Sequence, residues 1–291
     1  MVPLSRRLKI TGNNTTCFTM FDPNACSYVT RYCCCDNGFA IIGDVFTGEM
    51  EEAFGIPRDC GEIVATFYQE RTMHIIFRKG VFTTIDLLGK KTDSYRFTQE
   101  GETIAWITHY PENGRQLAVV NDNCVAFYYA LKQCGHIQFA DGWKVLGAYG
   151  VPINKENFDA LVVIAKNKAD VPGYYLIDAK QKKVRSSVSL NAEEITHMSQ
   201  DQKTGDIYLR MDDDLSLILR YRDENELELD VASGGPHYFD GSCRVVQREN
   251  DIDCNGQLVS GVDRITGCFA TKKMYGFVSE NNIIYCFDNG Y

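Results

Sequence analysis

The sequence has no apolar run approaching the roughly 18 residues that a membrane-crossing helix requires, and this excludes a helical span. Prolines number only seven, and no Gly/Ser tract or long run of like charge occurs. Nothing therefore reads as a linker, and the expectation is one domain over residues 1–291. Met1-Val2-Pro3-Leu4-Ser5-Arg6-Arg7 is not followed by an apolar segment, so no Sec-type leader is expected. Helical periodicity is scarce throughout. A G-x-S-x-G elbow, a Walker-type phosphate loop, H-x-H, H-E-x-x-H and C-x-x-C are all missing. Those absences remove the usual signatures of acyl transfer, nucleotide binding and zinc chemistry.

Positive charge is also in short supply. Asp and Glu number 39 against 30 Lys and Arg, a formal net charge of −9 that repels a phosphate backbone. The two basic stretches, Ser5–Lys9 and Lys180–Arg185, read as a solvated strand and turn, so neither nucleic acid nor membrane is expected as a partner. Cysteine is plentiful, at twelve residues. In a cytosolic chain such thiols act as small buried apolar groups, with disulfides or a metal site as the alternatives. Cys33-Cys34-Cys35 falls in an apparent strand, which places Cys33 and Cys35 on one face and Cys34 on the other. The sequons at Asn13 and Asn14 matter only in a secreted protein. The expected location is the cytoplasm.

What recurs is a pair of short β-rich runs across a tight turn. Cys33–Asp36 meets Phe39–Ile42 across Asn37-Gly38, and His74–Arg78 meets Val81–Ile85 across Lys79-Gly80. Leu117–Val120 meets Cys124–Tyr128, Leu161–Ile164 meets Gly173–Ile177, and Asp206–Arg210 meets Leu215–Leu219. Met274–Val278 meets Ile283–Phe287 near the end. Asn, Asp and Gly tolerate the positive φ that such turns need. Several second runs end in Asp followed by a short turn, at Asp44, Asp86, Asp178, Asp263 and Asp288. Tyr129 and Arg222 stand near the two missing positions. The resulting period, roughly 40–45 residues with four strands per repeat, is that of a propeller blade.

The prediction is an all-β fold, a single closed β-propeller of about seven four-stranded blades. The last repeat is short, so the N-terminal run Leu4–Thr11 is expected to supply its outer strand beside Ile283–Asp288. A six-bladed alternative treats Ala232–Gly261 as an insertion. The dipeptides Gly43-Asp44, Ile85-Asp86, Ile177-Asp178, Val262-Asp263 and Phe287-Asp288 resemble the strand-ending Trp-Asp of WD40 propellers. No Trp-Asp pair is present, and the one Gly-His, Gly135-His136, falls out of phase, so the resemblance is to a divergent WD40-like propeller.

Chemistry-bearing motifs are sparse. Asp251-Ile252-Asp253-Cys254-Asn255-Gly256 fits the opening of a calcium loop, with Asp251, Asp253 and Asn255 as oxygen donors. Val262 stands where such a loop carries its bidentate Glu, and the competing reading is a hairpin turn at Asn255-Gly256. No other cofactor is indicated. Asp212-Asp213-Asp214 and Glu193-Glu194 read as solvated turns, and the five histidines form no metal-ligand spacing. Gly234–Gly241 reads as a structured loop whose Tyr238 and Phe239 could anchor a partner. The WD40 resemblance implies a non-catalytic platform for protein or peptide partners, a scaffold or adaptor subunit of a complex. An acidic chain suits a partner with basic elements. The alternatives are a propeller-type hydrolase or lactonase with a metal or carboxylates at the channel mouth, and a calcium-stabilised extracellular module.

Overall fold

The computed structural model describes residues 4, 6–23, 25–110, 114–152, 158–212, 214–223, 226–249 and 251–289. Every regular element among them is a β-strand, and no helix is long and apolar enough to cross a membrane. Apart from the first strand, each strand pairs with a sequence neighbour, giving seven four-stranded antiparallel sheets, the blades of a β-propeller.

Blade 1 comprises β2 (Asn13–Asp22), β3 (Ser27–Asp36), β4 (Phe39–Asp44) and β5 (Met50–Gly55). Blade 2 comprises β6 (Ile63–Gln69), β7 (Thr72–Phe77), β8 (Val81–Asp86) and β9 (Lys91–Arg96). Blade 3 follows as β10 (Ile104–Tyr110), β11 (Arg115–Val120), β12 (Cys124–Tyr129) and β13 (Lys132–Gln138). Blade 4 is β14 (Lys144–Val151), β15 (Ala160–Lys166), β16 (Pro172–Asp178) and β17 (Val184–Ser189). Blade 5 is β18 (Ile195–Gln200), β19 (Ile207–Met211), β20 (Ser216–Asp223) and β21 (Glu226–Ala232). Blade 6 is β22 (His237–Asp240), β23 (Cys243–Arg248), β24 (Asp251–Cys254) and β25 (Gln257–Ser260). Blade 7 takes β26 (Ile265–Ala270), β27 (Met274–Ser279) and β28 (Ile283–Asp288) from the C-terminal end, and β1 (Arg6–Lys9) completes it.

The N-terminal strand thus lies where the sequence places it, with Arg6 opposite Cys286 and Lys9 opposite Ile283. The six-bladed alternative fails, because the supposed insertion after Ala232 is itself a blade. The expected loop at Gly234–Gly241 is corrected for the same reason: His237–Asp240 pairs with Cys243–Val246 as a first strand. Its four residues were too few to show a period-2 pattern beside Gly234, Gly235 and Pro236. The Asn37-Gly38 hairpin forms as predicted, with φ of 46° and 82°.

The chain divides into two compact units, one of residues 1–76, 82–95 and 237–291, the other of residues 77–81 and 96–236. In the second unit, alternation along the middle strand of blade 4 serves two interfaces. Leu161, Val163 and Ala165 pack with Leu117, Val119 and Val125 of blade 3. Ala160, Val162 and Ile164 pack with Ile207, Leu209 and Leu219 of blade 5. A strand covered on both faces reads as a continuous apolar run, which is why β15 is ALVVIAK. In the first unit, Tyr275, Phe277, Tyr285 and Phe287 pack on Cys243, Val245 and Ile252 of blade 6. The alternate residues Met274, Val278, Ile284 and Cys286 join Cys17, Tyr32, Cys34 and Val45 of blade 1. The cysteine triplet splits as alternation requires: Cys34 enters that cluster, while Cys33 and Cys35 contact each other.

One buried polar network ties the first strands of blades 3, 4 and 5. The Tyr110 hydroxyl donates to Gln200 Oε1 (3.0 Å) and accepts from the Gly150 N–H (2.8 Å). Gln200 Nε2 donates to the carbonyls of Gly150 and Gly205, each at 3.2 Å. Removing one member strands the others away from water. Tyr110→Phe is therefore expected to lower unfolding free energy by about 1–3 kcal/mol, measured by urea denaturation. An unchanged midpoint would show that the network carries no net stability.

Candidate binding surface

The repeated aspartates act as turn caps. Asp44 Oδ1 accepts from the N–H groups of Phe46 and Thr47, each at 2.7 Å. Asp86 Oδ1 accepts from Leu88 (3.0 Å) and Gly89 (2.9 Å), and Asp178 Oδ1 from Lys180 (2.8 Å) and Gln181 (2.6 Å). A carboxylate at the end of the third strand satisfies donors that the turn would leave unpaired, the mechanism of an Asx turn. Asp288 also ends a third strand, β28, and Tyr129 holds that place in blade 3. Asp263 does not: it lies between β25 and β26, where the Asn281 side chain donates to it. In blade 5 the position belongs to Asp223, the residue after the expected Arg222.

The calcium-loop motif occupies β24 and the hairpin turn after it. Asp253 Oδ1 accepts from Gly256 N–H (2.7 Å), and Oδ2 faces Arg248 Nη2 at 3.4 Å. Asn255 Oδ1 accepts from Arg244 N–H at 2.8 Å, and its amide donates to the Ser242 carbonyl at 3.0 Å. With φ of 50° and 82°, Asn255-Gly256 makes the tight turn of a two-residue hairpin. Of the three expected donors, Asp253 and Asn255 thus have their oxygens engaged with the chain. Among the described residues, no group of three or more His, Cys, Asp or Glu is arranged to hold a metal.

Tyr238 and Phe239 are half-buried in β22. The Tyr238 hydroxyl donates to the Ile265 carbonyl (3.1 Å), its ring packs against the blade 6–7 cluster, and burial pushes its phenol to about 12. The Phe239 ring stacks on His237 at 6.3 Å. The histidines remain dispersed over β7, β10, β13, β18 and β22.

Burial shifts several interior titratable groups, while hydrogen bonds with Cys254 and Cys268 lower the buried Cys243 thiol. His74 lies between the rings of Phe67 (4.9 Å) and Phe82 (5.3 Å), and burial lowers its pKa to about 4. Burial raises the Cys34 and Cys286 thiols to about 12, so both stay protonated. Asp240 accepts from Ala270 N–H at 2.9 Å, yet its pKa is raised to about 6, chiefly by burial.

The surface carries the remaining possibilities. Phe21 and Tyr28 meet edge to face at 5.5 Å on the β2–β3 hairpin, both exposed, with Lys272 Nζ 4.4 Å from the Tyr28 ring centroid. Phe46 and Leu88 are exposed at the turns after the third strands of blades 1 and 2, and Tyr129 is exposed at the end of the third strand of blade 3. Between blades 4 and 5, Val171, Leu190, Asn191, Ala192, Glu193 and Asp212 line a shallow depression of about 520 Å³. Sequence reasoning treated Glu193-Glu194 and Asp212–Asp214 as separate solvated turns. Asp213 lies outside the described residues, and the nearness of Asp212 to Glu194 follows only from strand pairing, which joins Asp212 N–H to the Glu194 carbonyl at 3.2 Å.

Asp253→Ala removes the Gly256 cap and the Arg248 contact, and should cost about 1 kcal/mol equally with calcium and with chelator. A calcium-dependent rise in Tm that this variant abolishes would instead make the turn an ion site. For Asp240, a folded pKa above the unfolded 3.8 means that ionisation costs stability as pH rises from about 4 through about 6. Asp240→Asn is therefore expected to match the native protein near pH 4 and exceed it by about 1–3 kcal/mol above pH 7. A pH-independent difference in urea titrations would contradict this.

No protein-family model matches the chain, and no curated protein matches it. Solved structures do. The Cps50 (Swd1) β-propeller domain of Myceliophteria thermophila superposes with a TM-score of 0.63 at 11% identity, covering 98% of this chain and 99% of that one. A chain of the Mitotic Checkpoint Complex superposes with the same TM-score at 7% identity, covering 99% of this chain and 92% of that one. At such identities the likeness concerns the fold alone, and that fold is a WD40-like, seven-bladed β-propeller.

Proposed function

We propose that this chain is a non-catalytic protein-interaction platform, a scaffold or adaptor subunit that holds a protein or peptide partner through its turns and outer strands. The observation that carries the reading is where the polar and reactive groups lie. Asp44, Asp86 and Asp178 cap turns, His74 is kept neutral, and the Cys34 and Cys286 thiols are kept protonated. Large apolar side chains such as Phe21, Tyr28, Phe46 and Leu88 are instead exposed at strand ends. A rigid scaffold with exposed aromatic and aliphatic anchors suits association better than turnover. One structural neighbour comes from a complex of several proteins, which supports the same reading by analogy of fold. Residues 1–291 would act as one domain, and the cytoplasm would be its compartment, since none of the twelve cysteines forms a disulfide. No observation on the described residues favours a hydrolase or lactonase site.

The test is affinity capture from the native cell in mild salt, followed by reconstitution with the purified partner. A stoichiometric complex is expected, weakened at least about tenfold (about 1.4 kcal/mol) by Phe21→Ala/Tyr28→Ala with Tm unchanged. Tyr238→Ala and Phe239→Ala serve as comparisons, because loss of their packing also lowers stability. Failure to recover any specific partner, together with stoichiometric metal in the purified protein, would overturn the platform reading in favour of an enzyme.

A further inference from the structure

The depression between blades 4 and 5 has an apolar floor and an acidic rim. Leu190 belongs to the buried core shared by these blades, and Ala192 packs against it, so the floor is anchored in the hydrophobic interior. The walls are fixed by backbone bonds: Leu190 N–H to Pro172 carbonyl at 2.9 Å, and Asp212 N–H to Glu194 carbonyl at 3.2 Å. Val171 is held from below by the Asn167 side chain, whose Oδ1 accepts its N–H at 3.2 Å. The cavity is therefore preformed and needs little ordering to receive a ligand.

Its charge is uneven in an informative way. Nearby Asp170 is paired with Lys166 at 3.5 Å, and Asp214 is paired with Arg210. Among the described residues, no cation pairs with Glu193, Glu194 or Asp212, and all three are exposed. Carboxylates that the chain leaves unneutralised beside an apolar floor complement a side chain with an aliphatic stem and a cationic head. Lysine and arginine have that construction, burying the stem while the head keeps polar company.

We propose that this depression is a docking site for a basic side chain, lysine or arginine, presented by a protein partner. The stem lies on Val171, Leu190 and Ala192, and the head sits between Glu193 and Asp212. The inference rests on the platform reading and names one contact within it. Neither Glu193 nor Asp212 makes a side-chain hydrogen bond among the described residues, so replacing them leaves the fold intact.

The experiment uses the full chain labelled with ¹⁵N and three blocked tripeptides, each with lysine, arginine or norleucine between two alanines. Saturable amide shifts are expected at Ala192, Glu193, Glu194 and Asp212 with the two basic peptides. Affinity should fall at least about fivefold with norleucine, and again in Glu193→Gln/Asp212→Asn. It should also fall where salt shortens screening to about 3 Å at 1 M. Equal response to norleucine, an unaltered response in the double variant, or no saturable shift at these amides would overturn the site. A partner isolated with the native chain that binds the double variant equally well would remove this site and leave the platform standing. Saturable peptide binding with no partner recovered would do the reverse.

Discussion

The pairing of β1 with β28 is the constraint on which the rest of the fold depends. Blade 7 has only three strands in its own stretch of sequence, and without Arg6–Lys9 the β28 edge would lie open to another chain. The clasp is more than four backbone pairs. Ile10 is buried in the cluster with Phe269, Ile284 and Cys286, its N–H donates to the Asn282 carbonyl at 2.9 Å, and Leu8 packs against that cluster. Bringing together residues more than 270 positions apart carries a loop-closure cost that grows only slowly with length, so a compact apolar cluster can offset it.

Much of this was legible because turn chemistry repeats where side-chain identity does not. The sequence shows Asp44, Asp86 and Asp178 at blade spacing, and each caps its turn through the same oxygen. The repeat breaks where other chemistry suffices. Tyr129 ends β12, and positive φ at Ala130 and Leu131 turns the chain without a capping carboxylate. Asp263 misled because it follows an apolar residue, as a strand-ending Asp does, although it lies in a connection. Blade 6 was partly hidden because its first, third and last strands have only four residues each, too short to display alternation.

The candidate site was less legible, for a physical reason. A motif such as Asp251–Gly256 is contiguous and can be read directly, yet the Asp253 and Asn255 oxygens bond within the hairpin that it builds. The acidic depression is assembled from residues 171, 190–193 and 212, which belong to three different connections. Each segment alone is an ordinary solvated turn. Only the blade arrangement shows that their carboxylates share one concave surface, and only the ion pairs of Lys166 and Arg210 show which of them remain uncompensated.

Interior and surface follow opposite electrostatic rules here. Inside, burial suppresses charge where no partner offsets it: His74 between two aromatic rings stays neutral, and Cys34 and Cys286 stay protonated because ionising them would forfeit hydration, whereas hydrogen bonds lower the Cys243 thiol. Outside, a net charge of −9 is left in water, where repulsion is screened and costs little. Where carboxylates stand without cations beside apolar side chains, as Glu193 and Asp212 do, an acidic surface keeps a capacity to bind basic groups. On the proposed reading, affinity would reside in what the turns leave unneutralised, with the blades holding those turns still.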